Sequence, residues 1–279
     1  MKDNRPLAVV VVNEAGFAPG AAVAEALGAF LYVPVRLSVV QPAPPRPGAV
    51  VGYEGSAGNV VRQLFGEGRG LVLVMAAGIA VRLLSGLPED KRRDPPVVVL
   101  DTAARYAISL LAGHEGGANG LAYRVAAAVE AEPVVTTGSE VHRTLVVGLG
   151  CRWGAGAPAI MAAIERGLAL AGRKKNDIRV VATADFKAGE PGILEACSAL
   201  GAGLRVFGRE AIRGVDRLFS ESRCARKYFD VGGVAEPCAF LAARNGRIIL
   251  PRLVADQVTV ALAEDRLWSP GSGRGTPST

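Results

Sequence analysis

Histidine, cysteine and aromatic side chains are scarce in this chain, and each shortage closes off a class of function. There are two histidines and four cysteines in 279 residues. The cysteines, Cys151, Cys197, Cys224 and Cys238, are widely spaced and form no CxxC pair. A zinc site would need closer ligands or more histidines, so no metal site is expected. Free thiols in a reducing compartment are the expectation, and no neighbouring histidine supports a catalytic role for Cys151 or Cys197. Aromatic residues make up 5% of the chain, which leaves Ala, Val and Leu to build a core of helices packed on a buried sheet. No apolar run approaches the roughly 18 residues that would span a bilayer. The opening MKDNRPLAVVVVNEAG has too short an apolar stretch for a secretory signal. A cytoplasmic protein without a membrane partner is expected.

The charge is unevenly spread. Residues 1–143 hold 13 of the 32 Lys+Arg and 13 of the 26 Asp+Glu, leaving 19 and 13 in residues 144–279. The whole net charge of +6 therefore lies in the second half. Its arginines are scattered rather than interleaved with aromatics, which argues against nucleic acid as a partner. A polyanionic small molecule suits such a surface at least as well.

The pattern of apolar runs predicts α/β architecture. Runs at Leu7–Val12, Val33–Val40, Gly70–Met75, Pro96–Asp101 and Pro133–Thr137 read as strands, with helices at 19–30, 57–65, 76–84 and 117–131. Tyr106–Leu111 follows a four-residue connection and reads as an antiparallel neighbour. QPAPPRPG (residues 41–48) is a proline-rich loop. Strand alternating with helix predicts a doubly wound, mostly parallel sheet over residues 1–143. A smaller mixed-sheet α/β domain is expected over 144–267, with strands near 144–149, 178–182, 204–207, 247–250 and 257–262. Its helices are expected at 159–171, 193–200 and 234–243. The tail, 268–279, lacks apolar content and is expected to be disordered.

The stretch from Asp101 to Glu140 concentrates the chemistry. His114 sits in GHEGGAN, where Gly113, Gly116 and Gly117 allow close approach of the backbone to a ligand. Asn119 and the start of the following helix add donors that favour anions. Two readings of His114 stay open: a general acid/base with a pKa suited to neutral pH, or a structural residue of a tight turn. Glu115 is equally a solvent-facing charge, and His142 falls in the expected interdomain linker. Asp101 either orients His114 or simply opens the turn DTAAR. Arg82, Lys91, Arg92, Arg93 and Asp94 are a solvated loop or a grip for carboxylates. Strand ends at Met75–Gly78, Asp101 and Thr136–Glu140 are expected to share one sheet edge with His114, because doubly wound sheets bind ligands at carboxyl ends. In the second half, GLGCRWGAG lacks GxGxxG spacing and reads as an anion-binding turn with Arg152 near a helix start.

These pieces resemble a known family. AAGIAVRLLSGLPEDKRRDPPVVVLD, YAISLLAGHEGGANGLA and PVVTTGSE are similar to the signature of the cobalamin biosynthesis protein CbiG family. VGLGCRWG, the ADFKAGEPG loop, SESRCARKYFDVGGVAEPCA and VTVALA resemble its carboxy-terminal domain. The chain departs from the family pattern at Ala112 and Glu115, where Ser and Leu are usual, and at Glu140, where Asp is usual. The middle segment that many members carry is missing.

The resemblance implies a cobalt-precorrin-5A hydrolase, which opens a δ-lactone with water and releases acetaldehyde to give cobalt-precorrin-5B. Cobalt would arrive inside the substrate, so no cofactor is expected. His114 would act as general base on water or as acid to a leaving oxygen, with Asp101 orienting it. The Gly116 and Gly117 N–H groups and the Asn119 amide would stabilise an oxyanion. Arg82, Lys91 and Arg152 would pair with peripheral carboxylates. Gly78, Gly113, Thr136, Thr137, Lys187, Glu190 and Glu236 complete the expected substrate contacts. An axial bond from His114 to cobalt is an alternative. Neighbouring pathway enzymes are expected partners, and a homodimer stays open. The competing readings are a non-catalytic tetrapyrrole-binding or handover protein and a nucleotide-binding regulator.

Overall fold

The computed structural model describes residues 6–37, 49–140 and 142–266. The loop expected at 41–48 and the tail expected at 268–279 lie outside the described residues. The chain divides into two compact units, Met1–Gly138 and Ser139–Thr279. Both are α/β, and no helix among the described residues is long and apolar enough to cross a membrane.

The first unit is built on a seven-stranded sheet: β1 (Leu7–Val11), β2 (Phe30–Pro34), β3 (Val50–Tyr53), β4 (Gly70–Val74), β5 (Val97–Leu100), β6 (Tyr106–Leu111) and β7 (Glu132–Val134). The order is β3-β2-β1-β4-β5-β6-β7, so the chain reverses direction across the sheet between β1 and β4. Strands β1 to β5 are parallel. Their central members are apolar throughout because helices cover both faces. Val9, Val11, Val72, Val74, Val98 and Leu100 pack under α1 (Phe17–Leu27) and α4 (Ala118–Val129). Ala8, Val10, Leu71, Leu73, Val97 and Val99 pack under α2 (Ala57–Gly66) and α3 (Ala77–Leu84).

The second strand begins and ends earlier than the apolar run suggested. Gly28 takes a left-handed conformation (φ 63°) and ends α1 at Leu27, which frees Phe30 to start β2.

β6 runs antiparallel to β5, with Leu100 beside Ala107 and Val97 beside Leu111. β7 runs parallel to β6. This reversal decides where the glycine-rich turn lies.

The second unit holds a five-stranded mixed sheet in the order β10-β9-β8-β12-β11. Its strands are β8 (Leu145–Cys151), β9 (Ile178–Ala184), β10 (Gly203–Phe207), β11 (Arg247–Ala255) and β12 (Val258–Glu264). β8, β9 and β10 are parallel, and β12 and β11 return antiparallel. Leu145, Val147 and Leu149 face α5 (Ala157–Ala171) and α6 (Pro191–Leu200). The alternate positions Gly148 and Gly150 face α9 (Ala235–Ala242). A Cβ at Gly148 would stand 1.9 Å from the Ala235 carbonyl oxygen, so only glycine lets the helix lie that close to the strand. Arg179 and Asp265 form a buried bidentate pair (2.6 and 2.9 Å), and Arg179 also donates to the Ala242 carbonyl. That pair ties β9, the end of β12 and the end of α9 together. Two short helices, α7 (Arg209–Val215) and α8 (Arg223–Phe229), complete the unit.

Candidate functional site

The GHEGGAN turn leaves the carboxyl end of β6 and enters α4. Gly117 precedes the helix with φ 89°, a conformation open to glycine. Gly116 is packed tightly: a Cβ there would meet the Ala112 Cβ at 2.4 Å and the Asp94 carbonyl at 3.3 Å. At Gly113 it would meet Thr137 at 2.6 Å and the Asn119 amide oxygen at 2.8 Å. A polar thread locks the turn, with Ser109 Oγ donating to Asn119 Oδ1 (2.8 Å) and Asn119 Nδ2 donating to Thr137 Oγ1 (3.0 Å). Asn119 is thus a tie between β6, α4 and the segment after β7, and its amide is largely engaged. The Gly116 and Gly117 N–H groups donate to no residue among those described.

His114 is exposed, and its ring makes no hydrogen bond among the described residues. Beside it, Glu115 faces Lys91 at 3.6 Å. Its own backbone N–H, then Lys91 and His114, hold the Glu115 carboxyl below the ordinary range.

The expected convergence on one edge is corrected by strand direction. Asp101 follows β5, and Met75–Gly78 follows β4, at the carboxyl ends of the parallel strands. Because β6 and β7 run the opposite way, His114, Thr136 and Thr137 lie at the other edge. Four strand residues separate Asp101 from the level of Leu111, about 13 Å at 3.3 Å per residue. Asp101 therefore does not orient His114. Its carboxylate accepts from the amides of Arg105 and Tyr106 (2.7 Å each) and from Arg105 Nε (3.0 Å). Burial alone would raise its pKa, but the Tyr106 amide and Arg105 outweigh it and hold the carboxyl below its usual value. The turn-opening reading of Asp101 accounts for these contacts.

Other residues named in the first unit are dispersed. Gly78 is exposed at the second position of α3, with open space where a Cβ would be. Arg82 is exposed in the last turn of the same helix. A cavity of about 380 Å³ opens beside the carboxyl ends of β1 to β3, lined by Val12, Pro34, Arg36 and Tyr53 among others. None of the named site residues lines it.

The second unit contains a larger cavity of about 890 Å³. Its walls include Gly150–Trp153 from the end of β8, Phe186 and Lys187 from the loop after β9, Ser220–Ala225 with Tyr228 and Phe229 around α8, and Gly233–Pro237 at the start of α9. Four of the chain's fifteen aromatic residues line this one hollow. Phe186 and Phe229 stack at 4.0 Å between ring centroids, and Arg209 lies over Phe186.

Arg152, Lys187 and Glu236 line the cavity as site residues read from the sequence; Glu190 does not. Glu190 is 3% exposed. One of its oxygens accepts from Lys187 Nζ at 3.1 Å and the other from the Gly154 amide at 3.2 Å. It shapes the GCRWG turn from behind. Lys187, also 3% exposed, places its ammonium 4.0 Å from the centre of the Trp153 ring. Trp153 itself is 69% exposed, so a cation braces the indole. Arg152 and Arg223 line the same cavity and pair with no carboxylate among the described residues. Burial pushes the Cys151 thiol up, a rise that Lys187 offsets and Glu190 reinforces.

Sequence reasoning did not single out Trp153, Phe186, Arg223, Tyr228 or Phe229. The signal was the clustering of scarce aromatics in CRWG, ADFK and RKYF, three segments distant in sequence. No group of three or more His, Cys, Asp or Glu among the described residues is placed to hold a metal ion.

Two family models match this chain. "Cobalamin synthesis G N-terminal" covers residues 59–140 and "Cobalamin synthesis G C-terminus" covers residues 145–263. The chain belongs to the cobalamin synthesis G family. Within that family, it is 24% identical to the cobalt-precorrin-5A hydrolase of Salmonella typhimurium, over 75% of this chain and 86% of that protein. It is 43% identical to the cobalt-precorrin-5A hydrolase of Priestia megaterium over 37% of this chain, a stretch equal to 28% of that longer protein. Protein CobE of Sinorhizobium sp. is 35% identical over 43% of this chain and 79% of its own length. Among solved structures, CobE, a protein from the cobalamin biosynthetic pathway, matches 43% of this chain and 89% of its own at 25% identity, with a TM-score of 0.42. A cobalamin biosynthesis protein G homolog from Sulfolobus solfataricus matches 94% of this chain and 98% of its own at 17% identity, with a TM-score of 0.36.

Proposed function

We propose that the chain hydrolyses cobalt-precorrin-5A to cobalt-precorrin-5B, opening the δ-lactone with water and releasing acetaldehyde. The cavity of the second unit is the observation that carries this reading. Its volume falls near the upper end of the roughly 300–1,000 Å³ typical of small-molecule sites. Its aromatic plates suit the face of a flat conjugated ring, and the guanidiniums of Arg152 and Arg223 suit peripheral carboxylates. Cobalt is carried by the substrate in this proposal, and the chain needs no cofactor of its own.

His114, in the glycine-rich turn of the first unit, is a separate candidate for proton transfer. His114 is exposed, and the Gly116 and Gly117 N–H groups make no hydrogen bond among the described residues. Replacing His114 with Ala removes no hydrogen bond made by the ring, so folding is expected to survive while acetaldehyde release is lost. Unchanged turnover would reject its role.

A second reading is supported by one observation: the His114 ring has no acceptor to fix its tautomer, unlike the usual catalytic histidine. In that reading the chain binds a tetrapyrrole intermediate and hands it on unchanged. Anaerobic incubation with cobalt-precorrin-5A separates the two. Acetaldehyde formation supports hydrolysis; tight binding without acetaldehyde supports handover.

A further inference from the structure

The cavity of the second unit contains a carboxylate that its surroundings do not explain. Glu236 is 8% exposed and lines the cavity. Other buried acids of this unit are engaged: Asp265 by Arg179, Glu190 by Lys187 and the Gly154 amide, and Asp216 by Arg226 and the Gly232 amide. Glu236 has no hydrogen bond or ion pair among the described residues. Yet no side-chain oxygen or nitrogen sealed from solvent lacks a partner among those residues. The Glu236 oxygens therefore open into the cavity rather than into packed protein.

A carboxylate facing a cavity with no cation beside it is free to act on what enters. It stands in the first turn of α9, where the positive end of the helix dipole favours a negative charge. The packing that fixes it is rigid. Ala235, Cys238 and Ala239 are each 3% exposed or less, and Gly148 lets α9 sit directly on β8. The carboxylate is thus presented from a firm element, in a hollow whose other unengaged charges include Arg152 and Arg223.

We propose that Glu236 is the general base that activates water for lactone opening. The inference rests on the hydrolase reading above. Glu236 takes one proton from a water molecule as the water oxygen bonds to the lactone carbonyl carbon. The ring C–O bond then breaks, and the leaving oxygen takes the proton back from Glu236. One water is consumed, and the lactone becomes a carboxylic acid and an alcohol. Departure of acetaldehyde follows: the alcohol oxygen loses its proton, the carbon–carbon bond breaks to form the aldehyde, and the ring carbon takes up a proton.

The test compares wild type with E236Q on cobalt-precorrin-5A under anaerobic conditions, reading acetaldehyde and the mass of the corrinoid. Loss of a positioned base costs about 10²- to 10⁴-fold, so E236Q is expected to release acetaldehyde at least about 100-fold more slowly. Its corrinoid is expected at the starting mass, and its affinity by absorbance titration within about threefold of wild type. Turnover by E236Q within about threefold of wild type overturns the assignment of Glu236 while leaving the hydrolase reading intact. An inactive wild type overturns the hydrolase reading, and Glu236 falls with it. If E236Q does not fold, E236M, which also lacks a carboxylate, carries the test on the same thresholds.

Discussion

Lys187 and Glu190 form an ion pair of 3.1 Å with both side chains under 5% exposed, and Lys187 lines the cavity. Glu190 also fixes the Gly154 amide, and Lys187 also braces Trp153. Removing one member leaves an uncompensated buried charge, which costs about 3–5 kcal/mol. E190A and K187A are each expected to destabilise the second unit by that order in urea unfolding followed by circular dichroism. The double variant K187M/E190L is expected to recover much of the loss, since apolar replacement of a buried pair is often neutral. A double variant no better than the singles would show that the pair's role is not electrostatic compensation.

Trp153 lines the cavity and is 69% exposed. Stacking contributes about 0.5–1.5 kcal/mol beyond simple burial, and about 1.4 kcal/mol is a tenfold change in affinity. W153A is expected to weaken binding of a cobalt-corrinoid by severalfold to tenfold. The chain has two tryptophans, so in a W268F background all indole emission comes from Trp153. Corrinoid addition is expected to quench it. Unchanged emission at saturating ligand would place the ligand elsewhere.

The four thiols are expected to react in a fixed order. Burial pushes Cys197 up to about 12 and Cys238 further still, while Cys224 is exposed on the cavity wall. The thiolate is the reactive form, and at pH 8 it is scarce at a thiol with a raised pKa. Iodoacetamide at pH 8 is expected to label Cys224 first, Cys151 slowly, and Cys197 and Cys238 after unfolding. A cavity-bound corrinoid is expected to slow labelling at Cys224; labelling at an unaltered rate would argue against occupancy of that wall.

Asp101 provides a pH-dependent contribution to the first unit. Its folded carboxyl titrates below the unfolded value of about 3.9, the depressed case. The stability it supplies is then complete above that unfolded value and is lost as pH falls through the folded one. The gap between wild type and D101N in urea midpoint is expected to be constant from pH 7 to 5 and to shrink toward pH 2. A gap that widens in acid would contradict the contacts seen at Arg105 and Tyr106.

The layout of the sheet was readable from residue patterns, and the site was readable only in pieces. Apolar runs such as LVLV and VVVL mark buried parallel strands because helices on both faces leave them no polar side. The short turn DTAAR also marked β6 as antiparallel. What pattern alone did not carry was the consequence: one reversed strand moves the loop after it to the opposite edge, separating His114 from Asp101. The large cavity was less legible because its walls come from short elements. α8 spans seven residues, too few for a hydrophobic period to declare a face, and the end of β8 and the turn after it bring Cys151 and Trp153 beside side chains more than 30 residues away. Glu236 was nameable by its place in a motif, but only burial without a partner distinguishes it from an ordinary first-turn acid.

Hydrolysis of the lactone is tested by running the anaerobic reaction in water enriched in ¹⁸O and weighing the corrinoid product. Hydrolysis yields one acetaldehyde per corrinoid consumed and leaves one ¹⁸O in the newly freed carboxyl group. Corrinoid that is bound yet recovered at its starting mass, with no acetaldehyde, would contradict it.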